Sequence, residues 1–189
     1  MDKFFINRDN ALLLIVDVQE RLAVVMRERE KVAANTIHLV EAAKLLNIPV
    51  VLTEQYPKGL GPTVTEIKDA LNPYSPIEKI SFNCCGEPVF MKRIRDIGRK
   101  KIILTGMETH VCVLQTCLGL LEQGYDVHVV IDAVCSRHKD NFKTGIGFMR
   151  DAGAVITCTE TVLFQLLEKA GTEEFRTISK RIKQAPSSK

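Results

Sequence analysis

Three side chains of this sequence could together perform nucleophilic chemistry: the carboxylate of Asp17, the ammonium of Lys79 and the thiol of Cys112. Each of them follows or ends a predicted strand, so one sheet could bring all of them to the same edge despite their wide separation along the chain. A cysteine becomes a good nucleophile when a base removes its proton and a cation stabilises the thiolate. A carboxylate and an ammonium supply both groups, and no histidine is required.

Cys112 lies in the stretch around which the rest of the chain is organised. An apolar run from Ile102 to Leu104 predicts a short buried strand, and apolar residues return at helical spacing from His110 to Gln123. The Thr-Gly-Met-Glu-Thr segment between them predicts a tight turn, which places Cys112 on the first turn of the helix. Unpaired backbone N–H groups and the helix dipole at such a position favour a thiolate. This stretch therefore predicts that Cys112 is the nucleophile.

Apolar runs and helical stripes alternate along the chain. Ala11 to Val16 is apolar without alternation, which is typical of a strand buried on both faces of a parallel sheet. Further strands are predicted at residues 50–53, 77–80, 127–131 and 155–157, and further helices at residues 30–46, 87–97, 140–152, 160–169 and 173–183. The alternation predicts an α/β fold, with a doubly wound, Rossmann-like parallel sheet of about six strands and helices on both faces. We expect one domain over residues 1–185 and a flexible tail at residues 186–189.

Residues 54–76 differ from the rest of the chain because proline and glycine interrupt them repeatedly. Only one short helix is predicted there, near residues 63–71. A loop of this length inside a compact domain is usually functional, so we expect it to form a wall or a lid of the pocket. The side chains expected to contact a substrate lie in this loop and beside the three reactive residues: Gln19, Gln55, Tyr56, Phe82 and Thr109.

The composition is that of an ordinary globular chain, with 189 residues, a net charge of +3 and 46% hydrophobic residues. Basic residues form only short clusters such as Arg99-Lys100-Lys101, and no nucleic-acid-binding motif is recognised, so no nucleic-acid partner is expected. No apolar run approaches the roughly 20 residues of a membrane span, and the N-terminus does not resemble a secretion signal. We expect a cytoplasmic protein with no membrane partner, whose six cysteines are free thiols.

Four ordered blocks of the sequence lie at compatible spacing. They are Leu14-Ile15-Val16-Asp17-Val18-Gln19, Glu78-Lys79-Ile80-Ser81-Phe82, Gly106-Met107-Glu108-Thr109-His110-Val111-Cys112-Val113, and Asp132-Ala133 with Ser136-Arg137. Together they resemble the isochorismatase-like cysteine hydrolases, a family that includes nicotinamidases and N-carbamoylsarcosine amidohydrolase, and the resemblance covers nearly the whole chain. Leu52 to Pro57 and Gly59 to Thr63 are similar to segments of the isochorismatase domain-containing proteins in particular.

The resemblance implies a role for each matching residue. Asp17 is implied as the general base, Lys79 as the cation that tunes both Asp17 and the thiol, and Cys112 as the nucleophile. A non-proline cis peptide bond is implied at Met107–Glu108, with an oxyanion hole formed by the backbone N–H groups of Glu108 and Cys112. The implied activity is hydrolysis of a small amide, imide or carbamoyl substrate through a thioester, in a homo-oligomer.

The sequence departs from the metal-binding members of that family. Metal-binding nicotinamidases carry an aspartate and histidines in the loop after the second strand, where this chain has Gln55 and Pro57. We therefore expect no metal and no other cofactor, and a substrate other than nicotinamide. Cys112 also argues against isochorismate as the substrate, because true isochorismatases generally have no cysteine at the nucleophile position.

Other interpretations of the same residues stay open. Asp17 could cap a helix, Lys79 could lie on the surface and Cys112 could be a buried hydrophobe. The chain could then be a binding or scaffold protein that keeps the fold without turnover, or a thiol redox protein, although C-x-x-C spacing is absent. His110 is expected to begin the helix rather than to form a dyad with the cysteine, and Arg137 to pair with a carboxylate nearby or across a subunit contact.

Overall fold

The structure, a computed structural model, describes residues 1–184. Within this range one sheet of six parallel strands forms the centre of the molecule. The strands are β1 (Ala11–Val16), β2 (Val50–Gln55), β3 (Ile77–Lys79), β4 (Lys101–Met107), β5 (Asp126–Cys135) and β6 (Val155–Thr157). Their spatial order is β3-β2-β1-β4-β5-β6, which is the Rossmann order. The predicted single α/β domain is confirmed, whereas the predicted tail at residues 186–189 lies outside the described residues.

Helices cover both faces of this sheet. They are α1 (Glu20–Ala23), α2 (Arg29–Leu45), α3 (Pro57–Leu60), α4 (Thr65–Ala70), α5 (Pro88–Ile97), α6 (Leu114–Glu122), α7 (Lys139–Asp151), α8 (Thr159–Leu167) and α9 (Glu173–Gln184). Two 3-10 turns, Asp2–Phe4 and Cys84–Gly86, and a π-helical turn, Thr109–Val113, lie between them. The predicted loop after β2 therefore contains two short helices, α3 and α4, rather than one.

Alternate residues of β1 enter two separate hydrophobic layers. Leu13 and Ile15 pack with α2 and α8 on one face of the sheet. Leu12 and Leu14 pack with α5 and α6 on the other face. All six residues of β1 are buried, and each large apolar side chain contributes about 1.5–3 kcal/mol by leaving water. The unalternating apolar pattern of this strand is thus explained by helices on both sides.

The strand order reverses between β1 and β4, which places a crevice at one edge of the sheet. In open α/β sheets, ligands bind outside the carboxyl ends of the strands at this reversal. Asp17 is the first residue after β1, Glu108 is the first residue after β4, and Lys79 is the last residue of β3. The topology therefore brings all of these residues to the same edge.

Several strand boundaries differ from the sequence-based prediction. β2 continues to Gln55 and β5 to Cys135, so Gln55 and Asp132 belong to strands and not to loops. β4 runs from Lys101 to Met107, so most of the predicted turn after Leu104 continues the strand. The side chain of Lys101 is charged. That ammonium is buried, and it is compensated by the carboxylates of Asp2 at 2.9 Å and Asp126 at 3.2 Å.

Gly106 marks a close approach between β4 and β1. Its φ is +133°, and a Cβ atom at this position would lie 2.1 Å from the backbone oxygen of Val16. We expect Gly106→Ala to lower the free energy of unfolding by about 3 kcal/mol or more, because the backbone strain and the clash with a main-chain atom act in the same direction. Urea denaturation followed by circular dichroism measures this change.

Gly147→Ala is the matched control for that substitution. Gly147 lies in α7, and nothing lies within 4 Å of an added Cβ atom. An alanine there is expected to leave the free energy of unfolding unchanged or to raise it by up to about 1 kcal/mol. Equal stability of the two alanine variants would contradict the close approach of the strands.

Candidate active site

Asp17 and Lys79 form a buried ion pair at the carboxyl edge of the sheet. Lys79 Nζ lies 2.7 Å from Asp17 Oδ2, and both side chains are 0% exposed. Asp17 has a left-handed φ of 53° immediately after β1, and Lys79 reaches it from β3 across the intervening β2. Thr53 on β2 donates its hydroxyl hydrogen to Asp17 Oδ1 at 2.8 Å. Two charges at this depth are tolerated only when they compensate each other.

The ammonium of Lys79 is surrounded by oxygen atoms. Besides Asp17, Nζ donates to Gln55 Oε1 at 2.7 Å and to two backbone carbonyls of the following loop at 3.2 and 3.4 Å. Burial alone lowers the pKa of Lys79, but nearby groups, first of all the charge of Asp17, raise it above its ordinary value. The side chain is therefore a fixed positive charge at neutral pH.

Cys112 lies next to this pair, in the π-helical turn between β4 and α6, and is 6% exposed. Burial raises the pKa of its thiol above the usual range, and the charge of Asp17 and a hydrogen bond with it raise the pKa further. The charge of Lys79 acts in the opposite direction without reversing the shift. The expectation that the helix start yields a thiolate is therefore wrong, since the net effect keeps the proton on sulfur.

The Asp17 carboxylate has the capacity to accept that proton. Its Oδ2 atom is buried and accepts no hydrogen bond of good geometry from residues 1–184. The same atom lies 2.7 Å from Lys79 Nζ, and the carboxylate to which it belongs interacts with the Cys112 thiol. A carboxylate held in this way beside a protonated thiol has the arrangement required of a general base.

Thr53 and Cys84 lie behind the ion pair and are site residues for which no role was predicted. Cys84 Sγ lies 3.9 Å from Thr53 Oγ1. Burial raises the pKa of Cys84 to about 11, and the charge of Lys79 only partly offsets this effect. Thr53 gave no signal in the sequence because it is one polar residue within a predicted strand. Its hydroxyl orients the carboxylate of Asp17.

Gln19 and Gln55 were expected to contact the substrate, but their amide groups are used within the protein. Gln19 Nε2 donates to the carbonyl oxygens of Gln55 at 3.0 Å and Gly61 at 2.7 Å, and Gln19 Oε1 accepts the Gln55 backbone N–H at 2.7 Å. Gln55 Nε2 donates to the carbonyl of Ile80, while its Oε1 accepts from Lys79. Both side chains therefore position the loop and the lysine.

Tyr56, Phe82 and Thr109 occupy different places around the thiol. Tyr56 follows β2 and Phe82 follows β3, and both are about half exposed on the rim of the carboxyl edge, at 52% and 53%. Thr109 is buried, and its hydroxyl has no partner among the described residues. The two aromatic residues are available for substrate contacts, and the Thr109 hydroxyl is an unsatisfied polar group close to Cys112.

The turn that carries Cys112 is fastened to the segment after β5. The Met107–Glu108 peptide bond is cis, at the position that the family resemblance implies. The buried Glu108 carboxylate accepts the backbone N–H of Arg137 at 3.0 Å and its Nε–H at 3.2 Å. Arg137 thus pairs with a carboxylate of its own chain, which is one of the two arrangements expected for it.

His110 provides a second connection between the same segments. Its Nδ1 lies 3.0 Å from Ser136 Oγ and its Nε2 lies 3.3 Å from Asn141 Nδ2. Because the amide nitrogen of Asn141 can only donate, Nε2 is the acceptor and Nδ1 carries the hydrogen. The imidazole is therefore occupied by structural contacts and does not form a dyad with Cys112.

The comparisons with known proteins agree with this architecture. The family model of the isochorismatase domain matches residues 11–161. The chain belongs to the isochorismatase family. Among curated relatives, the secreted isochorismatase effector Isc1 of Phytophthora sojae (strain P6497) is 43% identical over 179 residues, which cover 93% of this chain and 85% of that protein. Isochorismatase domain-containing protein 2 of Danio rerio is 38% identical over 172 residues, 90% and 85% of the two chains.

Solved structures of similar proteins share the whole fold. The MAR1 ribonuclease from Caenorhabditis elegans superposes with a TM-score of 0.89 at 37% identity, covering 96% of this chain and 93% of that chain. The YcaC gene product from Escherichia coli, described as an octameric hydrolase of unknown specificity, superposes with a TM-score of 0.87 at 28% identity, covering 94% and 90%. The predicted resemblance to this family is thus confirmed, and membership supports a hydrolase.

Two negative findings concern the residues described here. No group of three His, Cys, Asp or Glu side chains within residues 1–184 is arranged to hold a metal ion. No helix in the same range is both long and apolar enough to cross a membrane. The expectations of no cofactor and of a cytoplasmic location remain predictions for this isochorismatase-family chain.

The buried ion pair leads to a prediction about the stability of the protein. Lys79→Met is expected to lower the free energy of unfolding by about 3–5 kcal/mol, because it leaves the Asp17 carboxylate buried without its counter-charge. Adding Asp17→Asn removes the uncompensated charge, so the double variant is expected to recover most of that loss. Chemical denaturation of the wild type, the single variant and the double variant forms the test. A double variant less stable than Lys79→Met would show that the charges do not interact as described.

The surroundings of the thiol lead to a second prediction, which concerns the alkylation rate of Cys112. Asp17→Asn removes a negative charge and a hydrogen-bond acceptor that both raise the pKa of Cys112. At a fixed pH near 8, we therefore expect iodoacetamide to alkylate Cys112 several-fold faster in Asp17→Asn than in the wild type, even though the base is lost. Mass spectrometry of the individual cysteine peptides measures the rates.

The fully buried Cys117 is the internal control in that experiment, since it reports unfolding of the variant. Faster labelling of Cys112 with an unchanged rate for Cys117 is the expected pattern. Slower labelling of Cys112 in Asp17→Asn would mean that the carboxylate generates a resting thiolate, contrary to the electrostatics of the site.

Proposed function

We propose that this protein is a cofactor-independent cysteine hydrolase that cleaves the C–N bond of a small amide, imide or carbamoyl compound. The observation that carries the proposal is the contact of Lys79 with Asp17 at 2.7 Å beside the thiol of Cys112. These groups lie at the edge where open α/β sheets bind ligands. They provide a base, a cation and a nucleophile in one place.

The first stage forms a thioester. Asp17 accepts the thiol proton while Cys112 Sγ attacks the substrate carbonyl carbon, and the C=O electron pair moves to oxygen. The backbone N–H groups of Glu108 and Cys112 stabilise that oxyanion, an interaction worth about 2.7–4 kcal/mol per donor in comparable enzymes. When the C–N bond breaks, Asp17 returns the proton to the departing amine nitrogen. The products are a free amine and an acyl group on Cys112.

The second stage releases the acid. Water gives a proton to Asp17 and its oxygen attacks the thioester carbon. Collapse of the tetrahedral intermediate breaks the C–S bond, the proton on Asp17 returns to sulfur, and the free thiol is restored. The ammonium of Lys79 stabilises the developing thiolate in both stages without transferring a proton itself. No redox step and no further reactant besides water is required.

The exposure of the site favours a small substrate. Only 6% of Cys112 is exposed, so a compact carbonyl group can reach the sulfur more easily than a folded protein or a nucleic-acid strand. The half-exposed rings of Tyr56 and Phe82 on the rim are suited to the apolar part of such a molecule. Homo-oligomer formation is proposed by analogy with the octameric YcaC relative.

A substrate screen tests the proposal. The purified chain is incubated with a panel of small amides, ureides and imides, and release of ammonia or amine is measured for wild type and Cys112→Ala. Turnover is expected for at least one compound in the wild type and is expected to fall by at least about a thousand-fold in Cys112→Ala. Rapid acid quenching followed by intact-mass analysis is expected to trap the acyl group on Cys112.

Cys158→Ala is the control, because Cys158 is a partly exposed cysteine that forms no part of the site. An RNA substrate is included as a separate arm, since a relative is named a ribonuclease. Cleavage of RNA that survives Cys112→Ala, or absence of turnover of every compound in the panel by a folded wild type, would contradict the proposal. The second outcome would instead favour a binding or scaffold protein.

A further inference from the structure

A separate cavity opens at the end of β5. Its volume is about 630 Å³, within the range of roughly 300–1,000 Å³ typical of small-molecule sites. The start of α2, the end of β5 and the start of α7 form its walls. Neither Asp17, Lys79 nor Cys112 lines it, so it is not the space directly above the thiol.

Charged side chains surround this cavity, and most of them are basic. The charged lining consists of Arg27, Lys31, Arg137 and Lys139 with Glu28 and Asp132, and the ring of His138 lies among them. Asp132 Oδ1 already accepts the backbone N–H and the hydroxyl of Thr159, at 2.8 and 2.9 Å. Glu28 is thus the one lining carboxylate that no described residue engages through a hydrogen bond or an ion pair. The balance of charge in the cavity favours an anion.

Three of the basic residues have charges available to a ligand. Arg27, Lys31 and Lys139 are exposed and form no ion pair with any residue of the range 1–184. Arg137 uses its Nε to hold Glu108 at 3.2 Å, while its terminal amino groups make no ion pair within that range. A guanidinium with free terminal amino groups can bind a carboxylate through two parallel hydrogen bonds.

The floor of the cavity is apolar. Val32 and Val134 are buried, and Ile131 and Phe142 are half-buried beside them. A fully hydrated inorganic anion would gain nothing from such a surface, whereas a hydrocarbon group placed on it leaves water with a gain of about 25 cal/mol per Å². The lining therefore combines a basic rim with a surface for an apolar body.

We propose that this cavity binds a small organic acid, with its carboxylate between Arg27, Lys31 and Arg137 and its hydrocarbon part on the floor. The inference does not depend on the proposed hydrolase function, because none of its contacts involves the reactive residues. It assigns a second ligand site to the chain, joined to the turn of Cys112 through the Arg137–Glu108 contact.

Isothermal titration of the full-length chain with benzoate tests the inference. Benzyl alcohol, which has the same ring without the charge, is expected to bind at least ten-fold more weakly, as is inorganic phosphate, which lacks the ring. Lys31→Ala and Arg27→Ala are each expected to raise the Kd for benzoate about five- to ten-fold through loss of a charge-assisted contact. Glu28→Gln is expected to lower the Kd about two- to five-fold, because it removes the unpaired carboxylate.

Two sets of variants locate the binding site. Arg29→Ala is the matched control, since Arg29 lies on the same helix as Lys31 but lines a different groove, beside Glu20 and Glu30. Tyr56→Ala and Phe82→Ala report binding at the mouth of the thiol site. All three are expected to change the Kd by less than two-fold.

Three outcomes would overturn the inference. The first is a loss of benzoate affinity in Tyr56→Ala or Phe82→Ala as large as that in Lys31→Ala, which would place the acid at the thiol site. The second is phosphate binding as tight as benzoate binding, which would leave no role for the apolar floor. The third is no binding of benzoate at millimolar concentration by a folded wild type.

Discussion

A buried carboxylate and a buried ammonium are tolerated only when they contact each other. The ion pair of Asp17 and Lys79 therefore constrains how the strands that carry these residues are arranged. The two residues come from β1 and β3, so β2 must lie between these strands in one register, in which Val16 is opposite Thr53 and Gln55 is opposite Lys79. A shift of β3 by one residue would turn Lys79 to the other face of the sheet. Such a shift would leave two unpaired charges in the interior, at a cost of several kcal/mol each.

The loops around the ion pair are held by polar groups that form hydrogen bonds within the protein instead of with water. The Gln19 side chain forms hydrogen bonds with the backbone of Gln55, and the two side-chain amides together donate to three backbone carbonyls. These hydrogen bonds hold the chain between β2 and α4, although proline and glycine interrupt it. On the opposite side, Arg137 and Ser136 fasten the turn that carries Cys112. One network therefore holds Lys79 and the loop after β2, and a separate network holds the turn of the thiol.

Much of this arrangement could be predicted from the sequence, and the exceptions have physical causes. Buried strands in a parallel sheet are apolar throughout, so β1 was predicted with its correct bounds. The positions of Asp17 and Lys79 at strand ends likewise predicted that they meet at one edge of the sheet. The buried Lys101 and the inward-facing glutamines could not be predicted, because sequence alone does not reveal the partners that make buried polar groups tolerable. The role of Thr53, and the choice between the two arrangements expected for Arg137, likewise depend on which segments the fold brings together.

The protonation of Cys112 was mispredicted for a more general reason. A helix start lowers the pKa of a thiol through partial charges, but here burial and a full negative charge nearby act against it. A neutral, buried thiol reacts slowly with oxidants and alkylating agents, since the thiolate is the reactive species. In the proposed reaction, sulfur therefore becomes nucleophilic only as its proton passes to Asp17, and Lys79 stabilises the charge that this transfer creates. The proposal thus gives one carboxylate two effects: Asp17 disfavours the resting thiolate and removes the thiol proton during reaction. Under this proposal, Cys112 reacts only when a carbonyl carbon is present to accept the attack.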